Sequence, residues 1–176
     1  MLLRTLIAAT LFIASGPAAR AVADDRFPPI ASDAVRSECG DCHMVYQPQM
    51  LPRRSWRKLL DDRADHFGDE LSLDEETAKQ VLRYLSDNAS DASGHEEARK
   101  FARGLAPGDT PIRITDTPRW RKKHRELPER VWADPRITFK GECQVCHTEA
   151  ERGSYDDDSG LRLPNASGAW RRWEDD

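Results

Sequence analysis

The sequence predicts a mainly α-helical chain of two small lobes, the second less regular than the first, and three observations predict it. Apolar residues recur at helical spacing between proline and glycine stops, most clearly in Ala78, Val81, Leu82 and Leu85. A pentapeptide, Cys39-Gly40-Asp41-Cys42-His43, returns as Cys143-Gln144-Val145-Cys146-His147, with a polar, small-residue stretch at Asn88 to Gly94 between the copies. Apolar material is scarce: hydrophobic residues are 38% of the 176, and the mean hydropathy is −0.76. A chain this polar needs something besides side chains to fill two cores. The expected divisions are residues 1–23, 24–90 and 91–176.

The repeated pentapeptide says what that filling is. C-x-x-C-H is the attachment signature of a c-type haem. The two cysteines form thioethers to the porphyrin edge and the histidine reaches the iron. Both copies together use all 4 cysteines of the chain. Other readings fit less well. Paired C-x-x-C zinc sites lie about 15–20 residues apart, and this gap is several times longer. A dithiol redox site expects a βαβ setting. Structural disulfides leave the histidine after each pair unexplained. Two covalently bound c-type haems, held by Cys39, Cys42, Cys143 and Cys146, follow. The chain is expected to fold around them and to be largely disordered without them.

The elements follow in order. Residues 1–23 read as an export signal: Arg4 near the start, an apolar run from Leu6 to Ala14, and small-residue cleavage sites ending at Ala21 and Ala23. Export suits covalent haem attachment, which in bacteria takes place outside the cytoplasm; the mature chain is expected to be soluble and periplasmic. Asp33 to Met44 is expected to be a short helix carrying the first motif, ended by Pro48 and Pro52. Ser55 to Phe67 reads as an amphipathic helix capped by Ser55, with His66 on the same face as Trp56, Leu59, Leu60 and Phe67, and Gly68 as its stop. Ser72-Leu73-Asp74-Glu75 fits a capping box for the next helix. Asn88 to Gly94 is a loop or linker. A short helix is expected within His95 to Leu105, then a turn at Ala106 to Asp109 and an extended segment from Pro111 to Thr117. Thr117-Pro118 starts a further helix carrying Trp120 and His124. Beyond the second motif the tail is irregular, with Trp170 and Trp173 available to dock it.

His43 and His147 are the iron ligands supplied by the motifs. For the sixth positions, Met44 adjoins His43 and cannot reach the opposite face of its haem, and Met50 is hardly better placed. His66, His95 and His124 remain. His66 lies on an apolar helix face and His124 one turn after Trp120, whereas His95 sits among polar residues and is expected to be exposed. His66 and His124 are therefore the expected distal ligands. The interval from His43 to His66 equals that from His124 to His147, in reversed order, and spacing alone leaves crossed pairing open. Trp56, Trp120 and Trp132 are expected to pack on the porphyrins.

Charge narrows the partners. The formal net charge is −4, which argues against non-specific nucleic-acid binding. A basic stretch at Arg119 to Arg125 opposes acidic ones at Asp156 to Asp158 and Glu174 to Asp176; opposed patches can orient a redox partner, while each one alone reads as solvated surface charge.

Beyond the motifs, the chain resembles the bacterial dihaem cytochrome c family. The matching residues include Cys39 to Met44, Leu51-Pro52 with Ser55-Trp56, Asp65 to Gly68 with Leu73-Asp74, Ile114 to Pro118, His124 to Glu126, Val131-Trp132, and Cys143 through His147 to Ala150-Glu151-Arg152-Gly153. The resemblance implies a small periplasmic electron carrier and not an enzyme, its first lobe like a class I cytochrome c. It implies two bis-histidine haems with His66 and His124 as distal ligands. It also implies a membrane b-type cytochrome as donor, a small oxygen-binding haem protein as acceptor, and a monomer or weak oligomer. The alternative is a peroxidase-like dihaem enzyme or gas sensor with one labile distal ligand. Carbon monoxide discriminates, since closed irons do not take it up.

Overall fold

The computed structural model describes residues 25–157 and 160–165. The expected export signal, and the docking of the tail by Trp170 and Trp173, lie outside the described residues. The molecule is mainly helical. Among the described residues there are no strands, only the isolated bridges Arg26 with Ser154, His66 with Asp69, and His147 with Leu161. None of the described helices is long and apolar enough to cross a membrane.

Six helices are present among the described residues: α1 Asp33–Cys39, α2 Arg53–Asp61, α3 Glu75–Asp87, α4 Glu96–Ala102, α5 Pro118–His124 and α6 Glu129–Trp132. Short 3-10 turns join them at Pro48–Met50, Arg63–Asp65, Ile114–Asp116, Cys143–Val145 and Ala150–Arg152. α3 lies along α2 and against α1, while α4 meets the Pro48–Met50 turn on one side and α5 on the other. Val35, Leu59, Leu60, Val81 and Leu85 fill the space under α1 to α3. The same cluster continues through Met50, Leu51, Phe101 and Ile114, so α4 and the segment before α5 share this core.

Several boundaries differ from expectation, each for a local reason. α1 stops at Cys39, and its C-cap must be glycine, since a side chain at Gly40 would meet the Arg36 carbonyl at 2.5 Å; the rest of the first motif is bent chain. The prolines at 48 and 52 open the next elements instead of closing this helix. Ser55 does not cap α2. It lies in the first turn, fully buried, and the cap is Pro52. The free Arg53 amide donates instead to the Asp91 carboxylate at 2.9 Å, a partner from another segment. α2 ends at Asp61, so His66 sits in a turn beyond it. α3 is capped by Asp74, not Ser72: one carboxylate oxygen accepts from the Glu76 and Thr77 amides, both at 2.9 Å. The segment before α5 is a 3-10 turn at Ile114–Asp116 and not extended throughout.

Other expectations match. Ala78, Val81 and Leu85 are buried on α3. Thr117 caps α5 with Pro118 at its first position. Asn88 to Gly94 is a packed loop: Ala89 and Ser90 are buried, and the Ser90 amide donates to the Leu51 carbonyl at 2.9 Å.

The start of the described chain is tied to its end. The Phe27 amide donates to the Gly153 carbonyl at 2.8 Å, and the Tyr155 amide donates to the Asp25 carbonyl at 2.9 Å. Gly153 has φ of +81°, and a side chain there would strike the Phe27 carbonyl at 2.6 Å. This crossing needs glycine for two separate reasons.

Candidate functional site

The first site is built where α1 runs out. Cys39 ends the helix half-buried, Cys42 is exposed, and both are free thiols. The His43 ring is held by its own neighbour: Nδ1 lies 2.7 Å from the Met44 carbonyl. A carbonyl only accepts, so Nδ1 carries the proton and Nε2 keeps its lone pair. Facing it is His66, held in a tight turn. The His66 amide donates to the Asp69 carbonyl at 2.6 Å, and the Gly68 amide donates to the Asp65 carboxylate at 2.9 Å. This turn places Phe67 at φ of 61° and Gly68 at 106°, a backbone that Phe67 adopts only under constraint from its surroundings. The Arg113 guanidinium sits 3.9 Å above the Phe67 ring.

The second site joins the end of α5 to the second motif. His124 closes the helix, and its Nδ1 donates to the Trp120 carbonyl one turn back at 2.8 Å. Trp120 stacks on its ring at 4.3 Å, and Trp132 leans on both. α5 itself is held by ion pairs: Arg119 to Asp25 at 2.8 Å and to the buried Glu97 at 3.4 Å, and Lys123 to Asp25 at 2.8 Å. Opposite His124, His147 follows the Cys143–Val145 turn. The second motif is fastened from behind: the Arg162 amide donates to the Cys146 carbonyl at 2.7 Å and the Thr148 amide to the Gly160 carbonyl at 2.9 Å.

The rings pair. His43 and His66 have centroids 6.3 Å apart, and His124 and His147 have centroids 6.2 Å apart. Two imidazoles bound to one metal through nitrogens at about 2.0–2.1 Å place their centroids about 6.3 Å apart. Both spacings match that value. Among the described residues no three His, Cys, Asp or Glu side chains converge on a point that could hold an ion by themselves. A haem would bring its own macrocycle donors, and His43 with His66, and His124 with His147, would be the side chains that hold its iron. His66 Nδ1 and His147 Nδ1 are buried without a hydrogen-bond partner among the described residues, polar atoms that a bound group or its water would satisfy. The residues therefore fit a haem at each pair.

The protonation states suit ligation, which requires neutral imidazole. Burial pushes His147 down to about 4, with the neighbouring His124 adding to the effect. Burial also lowers His124, and burial followed by the nearness of His43 lowers His66. Burial pushes the Cys143 thiol up to about 12 and the Cys39 thiol up to about 11, so neither is a ready thiolate.

His95 belongs to neither site. It is half-buried rather than exposed, it caps α4 by accepting from the Glu97 amide at 3.3 Å, and its ring lies on Phe27. Met44 and Met50 are both buried, the latter in the core cluster. Trp120 and Trp132 gather at His124, whereas Trp56 is a core residue whose Nε1 donates to the Pro48 carbonyl at 2.8 Å. Two tyrosines beside the sites went unremarked in the sequence. Tyr46 stacks on His43 at 4.8 Å, and Tyr155 lies 5.4 Å from His147. Each ring lies beside the histidine of its own motif, but the hydroxyl bonds that fix them, Tyr46 to the Gly141 carbonyl and Tyr155 to the Gln47 side chain, join distant segments that no local pattern marks.

The fold and the paired sites define a small helical c-type cytochrome with two haem sites, an electron carrier by class. A model of the family described as dihaem cytochrome c matches residues 35–155, and the chain belongs to that family. Solved structures agree. The chain is similar to a diheme cytochrome c from Rhodobacter sphaeroides, with 39% identity, 73% of this chain and 100% of that chain covered, and a TM-score of 0.67. A second structure of the protein purified from Rhodobacter sphaeroides gives 37% identity, 72% and 99% coverage, and a TM-score of 0.60. The diheme cytochrome type c from Shewanella baltica gives 28% identity, 76% and 93% coverage, and a TM-score of 0.61. Comparison with curated proteins gives no match.

Proposed function

We propose that this chain is an exported, periplasmic carrier that holds two covalently attached c-type haems and passes single electrons between a membrane b-type cytochrome and a small oxygen-binding haem protein. The observation that carries the reading is the pairing of His43 with His66 and of His124 with His147 at 6.3 and 6.2 Å between ring centroids. Bound haem supplies an iron that alternates between the ferric and ferrous states. Cys39 and Cys42 anchor the first macrocycle, and Cys143 and Cys146 the second. The four imidazoles close both faces, which leaves no coordination position for a substrate. Double histidine ligation also keeps the reduction potential below that of a histidine–methionine pair. Trp120, Trp132 and Tyr155 pack against the histidines of the second centre, and Phe67 and Tyr46 against those of the first. Export rests on the apolar run and small-residue sites within residues 1–23.

One feature favours a second reading for the first site alone. His66 is held by a turn and not by a helix, so a gas-binding variant of this function would release His66 before His124. Carbon monoxide added to the reduced holoprotein tests the choice. The carrier reading expects the spectrum to stay unchanged. Stoichiometric uptake at one haem would replace it with the gas-binding reading.

A further inference from the structure

We propose that Glu97 takes up a proton when the second centre is reduced, so that this chain carries a proton along with one of its two electrons. This rests on the carrier reading above. Glu97 lies on α4 and is 2% exposed, an uncommon place for a carboxyl. It belongs to a cluster of opposite charges against α5. One nitrogen of Arg119, Nη2, lies 2.8 Å from the Asp25 carboxylate and 3.4 Å from that of Glu97. Lys123 pairs with Asp25 at 2.8 Å, and Lys100 bonds to Glu97. Two carboxyls thus share one guanidinium, and each has an ammonium group of its own.

The cluster is built against the supports of the second centre. Arg119 and Lys123 are one turn apart on α5, and each precedes a residue of the site: Trp120, whose ring stacks on His124 at 4.3 Å, and His124 itself. From the other side, the Asp25 carbonyl accepts from the amide of Tyr155, whose ring lies 5.4 Å from His147. Burial lowers His147, and the Asp25 charge opposes that lowering, so the field of the cluster reaches the ligand. The remaining charged or titratable neighbours are His95, whose Nδ1 accepts from the Glu97 amide, Glu96, which shares Lys100, and the Arg26–Asp156 pair beside Asp25. The Pro48–Met50 turn, the other element against α4, carries no titratable side chain.

The two carboxyls take different parts. Burial acts to raise Asp25, but Lys123 and Arg119 outweigh it and hold that carboxyl below its ordinary 3.8. Burial, with the Asp25 charge beside it, raises Glu97 above its ordinary 4.5 in spite of Lys100 and Arg119. Glu97 is therefore the member that exchanges a proton. An iron passing from ferric to ferrous loses one positive charge, so Glu97 holds its proton more tightly beside the reduced centre. Between its two values, reduction adds one electron to the iron and one proton from solvent to the Glu97 carboxylate, and oxidation releases both. No other bond changes. The linkage is reciprocal: the second centre holds its electron less tightly as pH rises through that range, which starts above 4.5. One charge acting over about 10 Å at an effective dielectric constant of about 20 shifts an equilibrium several-fold or more.

The test is a potentiometric titration of the holoprotein, followed by EPR and repeated from mildly acid to mildly alkaline pH. Ring planes 31° apart in the first pair and 77° apart in the second give the two centres separate signals. In the unaltered chain the second centre is expected to lose electron affinity several-fold as pH rises. Glu97→Gln keeps a hydrogen-bonding oxygen without the charge, and its second centre is expected to hold the high affinity at every pH. Glu76→Gln, at an exposed carboxyl of α3, should behave as the unaltered chain. Lys100→Gln removes a cation from Glu97 and should move the fall to higher pH; its side chain is partly exposed, and it decides the matter where Glu97→Gln does not fold. A second centre indifferent to pH in the unaltered chain, a fall that survives in Glu97→Gln, or a fall that Lys100→Gln leaves in place overturns the inference. If the unaltered chain lacks two low-spin haems, the carrier reading fails and not merely the proton link.

Discussion

The Nδ1 nitrogens of His43 and His124 each donate to a main-chain carbonyl, at 2.7 and 2.8 Å. Such bonds fix the tautomer, aim the ring and raise the basicity of the free nitrogen. The two pairs differ in how their planes meet: 31° for His43 with His66, and 77° for His124 with His147. Near-parallel axial imidazoles split the iron d-orbitals strongly, and near-perpendicular ones leave them almost degenerate. The oxidised holoprotein is therefore expected to give two different low-spin EPR signals, an ordinary rhombic one from the first centre and a broad, highly anisotropic one from the second. Replacing His124 by Ala should remove the broad signal and leave the rhombic one; loss of the rhombic one instead would reverse the assignment. At this scale the cysteines and motif histidines were legible, because C-x-x-C-H is a local pattern. His66 and His124 were preferred to His95 for their apolar settings and by the family resemblance, and the fold brings their rings opposite His43 and His147. Tyr46 and Tyr155 were not found, because a lone tyrosine near a motif carries no signal of its own and the bonds that fix each ring, to Gly141 and to Gln47, join distant segments.

The start of α5 decides where His124 sits. The Thr117 hydroxyl accepts from the Trp120 amide at 3.3 Å and is fully buried, and the helix it opens ends on His124. Thr117→Ala should lower stability by about 1–2 kcal/mol in chemical denaturation; no change in midpoint would mean that the ion pairs of Arg119 and Lys123 hold α5 alone. α3 depends on charge. The Asp74 carboxyl, bonded to the Thr77 amide and hydroxyl and to the Glu76 amide, is held below the ordinary value of 3.8. A carboxyl lowered in the folded state stabilises above its unfolded value, and that contribution is lost as pH falls through the folded one. The α3 cap should thus be intact at neutral pH and fail only below about pH 4. Asp74→Asn, which keeps a capping oxygen, should flatten the acid limb of the stability curve; an unchanged acid limb would place the acid sensitivity elsewhere. Thr117-Pro118 was readable because cap and first residue are adjacent. Ser72 and Ser55 looked like caps but are not: Asp74 serves two amides with one oxygen, and Asp91 reaches α2 from a separate loop. Neither choice is visible in a local window. The early end of α2, which moves His66 into a turn, was missed because apolar periodicity runs on past Asp61 into a segment with 3-10 geometry.

Across the whole molecule, the shared core of α1 to α4 and the tie between Phe27 and Gly153 make the two centres parts of one packed body. With only 38% hydrophobic residues, the chain is expected to draw apolar contact from two haems. Replacing Cys39 and Cys42 by Ala should cost much of the far-UV helix signal as well as one haem; native helix content in that variant would show that the polypeptide folds unaided. Low hydropathy raised the expectation of a cofactor-filled core but said nothing of how the pieces close on one another, since the ties from Phe27 to Gly153 and from Tyr46 to Gly141 join distant segments. The claim on which the rest depends is that both irons are closed by imidazole, and spin-counted EPR of the oxidised holoprotein tests it most directly. Two low-spin ferric centres per chain in equal amount, with no high-spin signal, is the predicted result. A high-spin centre at either haem would contradict it.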